Sequence, residues 1–409
     1  MSTYDVRKAG AKGDGIALET KVLQATIDHC AEKGGGTVLI PAGCYRTGTL
    51  VMRSHVTLHL DSGATLLGSA DIADYASAAT FRDAVGCDRG QCLIFAKGVE
   101  DIAIEGRGVI DGQGAGFRDP YRPMLLRFLN CQRVAVSGVT LKDAGAWVQH
   151  YLECDDVELQ RVTVLSRVNG NNDGLNLDGC QRVRVSDCHF SSGDDALTLK
   201  CTTPRPCKDI VISNCLLSSD CNGLKFGTES RGGFENVTIT NCAIYDTRLC
   251  GITVATVDGA KMENIIITNI SMRDVGAAIF VRLGSRGYHL PKEVQPRPCG
   301  SMRNLIIRNV LATGVDSHGS AIMGLPGHPI ENVMLDHVVI SSRGGGTKED
   351  AGKPVEEAPE RYPQYNQWGN LPAYGLYARH VRHLSKSQIR FELTGSDPRP
   401  PLVCDDVTE

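Results

Sequence analysis

The chain has no surplus of positive charge and no long apolar run. Its 43 Lys and Arg residues are outnumbered by 47 Asp and Glu residues, which gives a formal net charge of -4. Proteins that bind nucleic acid need an excess of cations to contact phosphates, so we expect no nucleic-acid partner. No apolar run approaches the length of a membrane span, so we expect no membrane partner either.

The amino terminus lacks the basic segment and apolar stretch of a signal peptide. We therefore expect a cytoplasmic protein, or a periplasmic or secreted one if a signal peptide has been removed. The 16 cysteines mostly fall at recurring positions, and a chain of 409 residues can bury a large core without disulfides. We interpret them as buried thiols, which favours a reducing compartment.

What the chain does have is a repeat. Pairs of aliphatic residues separated by one residue recur at intervals of 23, 26, 27, 27, 28, 40 and 28 residues. The first members are Val134, Val157, Val183, Ile210, Val237, Ile265, Leu305 and Val333. Such a period holds about three strands of about five residues with their turns. This is the size of one coil of a parallel β-solenoid.

Two further patterns support the solenoid. Cysteines recur with the coil and predict internal ladders of packed thiols rather than zinc sites: Cys154, Cys180, Cys207, Cys188, Cys215 and Cys242. An open solenoid end exposes its core and must be covered. Leu23 and Ile27 follow helical spacing between Thr20 and Lys33, and three glycines come next, which predicts an N-terminal capping helix.

We therefore expect an all-β, single-stranded parallel β-helix that forms one domain over residues 1–409. Its parts are a cap region at 1–50, coils at 51–343, and a long loop with a C-terminal coil at 344–409. Two insertions, at 286–300 and 344–372, are candidate binding elements. In the second, Tyr362, Tyr365 and Trp368 either stack on sugar rings or pin the loop, and we favour pinning.

Acidic residues mark a candidate active site. The motifs N-N-D-G at 171–174 and G-D-D at 193–195 precede similar strands, so Asp173, Asp195 and Asn222 share one register on successive coils, with Asp194 alongside. A single Asp is ordinary in a turn. Clustered carboxylates repel one another, which favours catalysis over a structural role. Hydrolysis of a glycosidic bond needs one protonated and one ionised carboxyl, and repulsion separates their pKa values in that way.

No cofactor or metal ion is expected. The glycine clusters at 10–15 and 106–114 do not open a helix within a βαβ unit, so a nucleotide loop is not indicated. His380 and His383 form an isolated H-x-x-H without further ligands.

The ordered motifs N-N-D-G, G-D-D-A-L-T-L-K, N-G-L-K-F-G and V-R-L-G resemble those of glycoside hydrolase family 28, the polygalacturonase family. The resemblance covers nearly the whole chain. It implies a right-handed, pectin lyase-like β-helix that hydrolyses pectic polysaccharides with inversion. By position, it makes Asp194 the general acid and makes Asp173 and Asp195 the pair that activates the attacking water.

The resemblance also assigns supporting residues. Asn171 would hold the acids in place, Lys200 completes the second motif, and Arg282 matches the family's substrate-binding arginine. The chain departs from the family twice, because Asn222 stands where the family has His and Gly284 stands where the family has a lysine for the sugar carboxylate.

We hypothesise that Lys225, Arg231 or Arg286 replaces that lysine, since a carboxylate is bound by a charged partner or a bidentate fork. The predicted function is hydrolysis of pectic or related polysaccharides and oligosaccharides, and the two insertions suggest exo action. One alternative is a polysaccharide lyase or epimerase on the same scaffold, with calcium and a basic side chain. Another is a non-catalytic carbohydrate-binding solenoid.

Overall fold

The structure is a computed structural model that describes residues 2–83, 86–287 and 298–409. It comprises two compact units, Met1–Asp194 and Asp195–Glu409, and each is described by itself. The single domain over 1–409 stays a prediction. Most of the predicted insertion at 286–300 lies outside the described residues.

The first unit consists of short strands paired in parallel and in register, three to a coil. One coil contains Gln149–Leu152, Asp155–Gln160 and Thr163–Ser166, and each of these pairs with a strand of the next coil. The strand Ser77–Arg82 is an exception, because it pairs antiparallel with Asp88–Lys97. The described strands are Thr3–Asp5, Asp14–Leu18, Gly36–Ile40, Gly43–Thr47, Leu50–Val51, Val56–Leu60, Ala64–Gly68, Ser77–Arg82, Asp88–Lys97, Glu100–Gly106, Val109–Asp111, Met124–Leu129, Gln132–Ser137, Thr140–Lys142, Gln149–Leu152, Asp155–Gln160, Thr163–Ser166, Leu175–Asp178, Gln181–Ser186 and His189–Ser192.

The core of the first unit is a stack of like residues. Ile102, Val134, Val157 and Val183 occupy one register position on successive coils, and all four are buried. Alternate side chains of a strand point to opposite faces, so one face of each strand fills the interior. The sequence doublets therefore predicted the register within this unit.

The helix Thr20–Glu32 packs against the strand Gly36–Ile40 and buries Leu23 and Ile27. It ends one residue earlier than predicted. Gly35 follows with φ +98, and a Cβ atom there would lie 2.4 Å from the carbonyl oxygen of His55. Only glycine fits this turn, which explains why the helix ends at the glycines. Two 3-10 turns also occur in this unit, at Ile72–Asp74 and Gly114–Gly116.

The second unit repeats the same architecture with longer strands. One register position is shared by Ile210, Val237, Ile265, Leu305, Val333 and Leu384. Besides the helix Lys348–Ala351 and the 3-10 turn Tyr365–Trp368, its strands are Leu197–Cys201, Cys207–Ser213, Leu216–Ser219, Leu224–Ser230, Phe234–Thr256, Lys261–Leu283, Ser301–Val315, Ser320–Met323, Ile330–Ser342, Leu376–Leu393 and Leu402–Val407.

Asparagines lie near the start of four strands of the second unit. Asn236, Asn264, Asn304 and Asn332 have φ between 54 and 60, a left-handed conformation that Asn tolerates. Each of the last three donates its amide to the Oδ1 atom of the preceding one, at 2.9 to 3.0 Å. With Asn236 donating to Asp209 at 3.1 Å, each of these four side-chain amides has an acceptor on the preceding coil.

All 16 cysteines are thiols in this structure. Burial, together with hydrogen bonding to Cys131 and Cys180, raises the pKa of the Cys154 thiol. The predicted contact of Cys154 with Cys180 is therefore present, and Cys131 extends it. Cys215 and Cys242 contact each other in the second unit. Among the described residues, no helix combines the length and apolarity that crossing a membrane requires.

Candidate active site

The first acidic motif lies in the turn before the strand Leu175–Asp178. Asn172 is fully buried and donates its amide to the carbonyl oxygens of Ala144 and Ala146, at 2.9 and 2.8 Å. The carbonyl oxygen of Asp173 accepts the Val148 N–H at 2.9 Å, and the Asp173 side chain is buried. This turn is therefore fixed to the preceding coil on both sides of the carboxylate.

Asn171 connects two arginines to Asp194. Its Oδ1 atom accepts from Arg122 at 2.9 Å and from Arg89 at 3.4 Å, and its Nδ2 atom donates to Asp194 at 3.4 Å. Both guanidinium groups are buried, and Arg89 also donates to Asp83 at 2.9 Å. The predicted contact of Asn171 with the acids is therefore present for Asp194.

Sequence reasoning missed the two arginines. Arg122 lies 49 residues and Arg89 lies 82 residues from Asn171 along the chain. Neither belongs to an acidic motif, and no spacing rule links a loop arginine to a turn several coils away.

Asp194 ends the first unit, two residues beyond the strand His189–Ser192. The Ser192 hydroxyl donates to the Asp194 carbonyl oxygen at 2.7 Å, and the Gly193 N–H donates to Ser166 at 2.7 Å. The Asp194 side chain is half-buried, whereas Asp173 is buried. Of these two carboxyl groups, Asp194 is the more accessible.

In the second unit, Asp195 is buried and accepts hydrogen bonds from Lys225 and Asn222. The Lys225 ammonium lies 2.8 Å from Oδ2, and Oδ1 accepts from the Asn222 amide at 2.6 Å and from its backbone N–H at 3.2 Å. Burial alone would raise the pKa of Asp195. The charge and hydrogen bond of Lys225, the Asn222 amide and the charge of Lys200 outweigh burial and hold the pKa below its usual value.

Asn222 stands where the resemblance places His. Its Oδ1 atom accepts from the Cys250 N–H and from the Thr253 hydroxyl, each at 3.2 Å. These contacts orient the amide so that its nitrogen faces Asp195. Asn222 and Asp195 also share one register position, as predicted, because the strands that follow pair at Leu197 and Leu224.

The two lysines are both buried on paired strands. Lys200 lies on Leu197–Cys201 and Lys225 on Leu224–Ser230. Both contribute to the low pKa of Asp195, and Lys225 does so by direct contact. Of the other cations considered for uronate binding, Arg286 forms a bidentate pair with Asp258 at 3.0 and 2.9 Å, whereas Arg231 is exposed.

Arg282 is fully buried in the second unit. It donates to the carbonyl oxygens of Gly324, at 3.3 Å, and Ala358, at 3.2 Å, and lies 5.2 Å from the ring centre of Trp368. Burial lowers its pKa to about 10. The structure shows Arg282 holding the 344–372 loop, and its predicted role in substrate binding stays a prediction.

One group in the first unit has the donor spacing of a metal site. Donor atoms of His55, Glu100 and Asp101 lie within 4.8 Å of one another. Arg133 contacts both carboxylates, at 2.5 Å in each case, so the group is a surface ion-pair cluster.

The comparison with known proteins agrees with this chemistry. The model of Glycosyl hydrolases family 28 matches residues 30–358. The chain is 28% identical to a probable polygalacturonase of Vitis vinifera, over 90% of this chain and 82% of that protein. An exopolygalacturonase of Zea mays is 22% identical, over 85% of each chain.

Solved structures are similar in fold. An exopolygalacturonase from Thermotoga maritima has a TM-score of 0.73 at 22% identity and covers 83% of this chain and 87% of its own. A family 28 exopolygalacturonase from Yersinia enterocolitica has a TM-score of 0.74 at 20% identity, with 99% and 77% covered. They confirm the predicted parallel β-helix class. From its motifs, its solenoid coils and the family match over most of its length, this chain belongs to glycoside hydrolase family 28 and is a glycosidase.

Proposed function

We propose that the chain hydrolyses the uronate linkages of pectic galacturonan with inversion, and acts from the chain end. Relatives named as polygalacturonases and exopolygalacturonases support the substrate. The observation that carries the proposal is the environment of Asp195, a buried carboxylate with a lysine and an amide placed to keep it ionised. A general base needs this state at working pH.

The proposed reaction assigns each acid one role. Asp194 donates its proton to the glycosidic oxygen as the bond from that oxygen to the anomeric carbon breaks. Asp195 and Asp173 orient a water molecule and accept its proton as its oxygen bonds to the anomeric carbon from the opposite face. The new hemiacetal has the inverted configuration. Greater exposure suits Asp194 for meeting a leaving group.

The uronate carboxylate needs a cation, and we propose Arg231. The Lys225 ammonium contacts Asp195 and the Arg286 guanidinium contacts Asp258, whereas Arg231 follows the strand Leu224–Ser230 with an exposed side chain.

For Arg231→Ala we expect KM for galacturonan oligomers to rise about tenfold or more, because a hydrogen bond to a charged group contributes about 1.5–3 kcal/mol. Cleavage of neutral oligosaccharides should not change. Arg184→Ala removes a guanidinium that is 71% exposed and serves as the matched control. Steady-state kinetics give KM for both variants. An unchanged KM for Arg231→Ala would contradict the proposal that Arg231 binds the uronate carboxylate.

Exo action predicts the products. With oligogalacturonides of defined length, the first product should be a single short species, and the substrate should shorten stepwise. Chromatography of early time points measures this. A spread of intermediate lengths at low conversion would show internal cleavage instead.

The proposed function itself is tested by incubating the purified protein with a panel of pectic and neutral glycans and measuring new reducing ends. Asp194→Asn should abolish the signal. A lyase would give an unsaturated, ultraviolet-absorbing product, and a carbohydrate-binding solenoid would bind glycan without turnover.

A further inference from the structure

The 344–372 loop is fixed to the second unit by buried guanidinium groups. Arg282 donates to the carbonyl oxygen of Ala358, and Arg379 donates to that of Val355 at 2.6 Å. Arg399 donates to the carbonyl oxygen of Leu371 at 2.9 Å. Backbone carbonyls held by buried cations leave the loop little freedom to move.

Aromatic packing fixes the same loop. Tyr365 and Trp368 are buried in a cluster with Leu249, Phe280 and Tyr377. Trp368 also donates its indole N–H to the Glu356 carbonyl oxygen at 3.1 Å. The favoured interpretation of these two aromatic residues, as pins for the loop, agrees with their burial.

Tyr362 differs from the other two aromatic residues. Its side chain is only half-buried, its hydroxyl lies 3.3 Å from the Lys225 ammonium, and its ring centre lies 5.4 Å from the same nitrogen. Gln364 makes a second contact, with the thiol of Cys221 at 3.8 Å. Tyr362 therefore contacts the ion-pair partner of Asp195, and Gln364 contacts a thiol that packs against the core cluster and accepts from the Asn222 amide at 3.5 Å.

We propose that Tyr362 is a positioning residue that aligns the Lys225 ammonium with the Asp195 carboxylate, so that the 344–372 loop forms part of the catalytic apparatus. The inference deepens the proposed function and rests on it. Lys225 is buried, so its N–H donors need partners within the protein. One donor faces Asp195 and another faces Tyr362, and the aromatic face adds attraction for the cation.

The geometry has a direct consequence for the base. Without the Tyr362 side chain, water or a new rotamer satisfies the lysine, and the ammonium is less well held on Asp195. The folded-state pKa of Asp195 then rises, because its largest favourable contributions come from Lys225. Activity falls at acidic pH as the base becomes protonated. A raised pKa of the base therefore moves the acidic limb of the pH–activity profile to higher pH.

The experiment compares Tyr362→Phe and Tyr362→Ala with the wild type. Tyr362→Phe keeps the ring and removes the hydroxyl, so it guards against loss of folding. Tyr365→Phe is the matched control, since Tyr365 lies in the same loop and packs in the core cluster. Carboxyl carbon NMR titration of Asp195, with its resonance identified by Asp195→Asn, requires no turnover.

We expect the Asp195 midpoint to rise by about half a unit to one unit in Tyr362→Ala and by less in Tyr362→Phe, where one unit corresponds to a tenfold change in proton affinity. The acidic limb of kcat/KM should shift in the same order, and kcat should fall while KM stays within about twofold. Tyr365→Phe should leave the midpoint unchanged.

Two results would overturn the inference. A wild-type midpoint in both Tyr362 variants would show that the tyrosine does not act through Lys225. A rise in KM with kcat intact would show that Tyr362 binds sugar instead. Failure of the proposed function is a different result, because the wild type would then cleave no glycan while the titration still reports on Tyr362.

Discussion

Replacing Asp194 by Asn is expected to lower kcat on galacturonan oligomers by about a thousandfold or more, within the range that a general acid contributes. An amide has the shape of the carboxyl group but no acidic proton to donate, so the leaving oxygen departs as a poor alkoxide. The amide can still accept the Asn171 hydrogen bond, so the variant should fold normally. Initial rates and thermal unfolding measure the two effects.

A matched control and a second substrate sharpen this test. Asp209→Asn alters an exposed residue of the strand Cys207–Ser213 at φ 56, a conformation that Asn also adopts, and should retain full activity. With a nitrophenyl uronide, whose leaving group needs no protonation, Asp194→Asn should lose much less activity. Equal losses on both substrates would rule out Asp194 as the acid.

Replacing Lys225 by Met is expected to destabilise the protein by about 3–5 kcal/mol at pH 7, because removing one partner of a buried ion pair leaves the other charge uncompensated. The Lys225 and Asp195 side chains are only 6% and 5% exposed. Chemical denaturation of the variant and the wild type gives the difference in the free energy of unfolding.

The pH dependence of this loss has a definite sign. In the wild type the Asp195 pKa is lowered, so its contribution to stability is present above the pKa of the unfolded chain and is lost as the pH falls through the folded value. In Lys225→Met the pKa of Asp195 in the folded state rises, so at low pH this side chain is protonated and can be buried without a charge. The loss of stability should therefore be smaller near pH 4 than at pH 7.

Lys208→Met supplies the matched control. Lys208 lies 3.3 Å from Glu235, and the two side chains are 39% and 29% exposed. Such a surface pair contributes about 0–1 kcal/mol, so this variant should change little. If Lys225→Met lost no more stability than Lys208→Met, or lost the same amount at both pH values, the pairing with Asp195 would not be the stabilising contact.

The solenoid was predictable from the sequence because its contacts repeat. A doublet such as Val237 and Ile239 buries its side chains against the same register position one coil away, so one period encodes many contacts. The position of Asn222 beside Asp195 followed from the same register. Local spacing of apolar residues also predicted the cap helix.

Contacts made by irregular segments were not predictable. Tyr362 lies 137 residues from Lys225 along the chain, and its position depends on how a loop packs, for which no period exists. Arg282 combines both cases. Its motif predicts a role in substrate binding, which stays a prediction, whereas its contacts with loop carbonyls depend on how the loop packs and could not be predicted.

The stereochemistry of the first product tests the account most directly. Proton NMR of an oligogalacturonide digest, recorded before mutarotation, shows which anomer is released. The proposed direct attack by a water molecule predicts that the inverted anomer appears first. Release of the retained anomer would require a covalent intermediate on one of the carboxylates and would contradict the assignment of these residues.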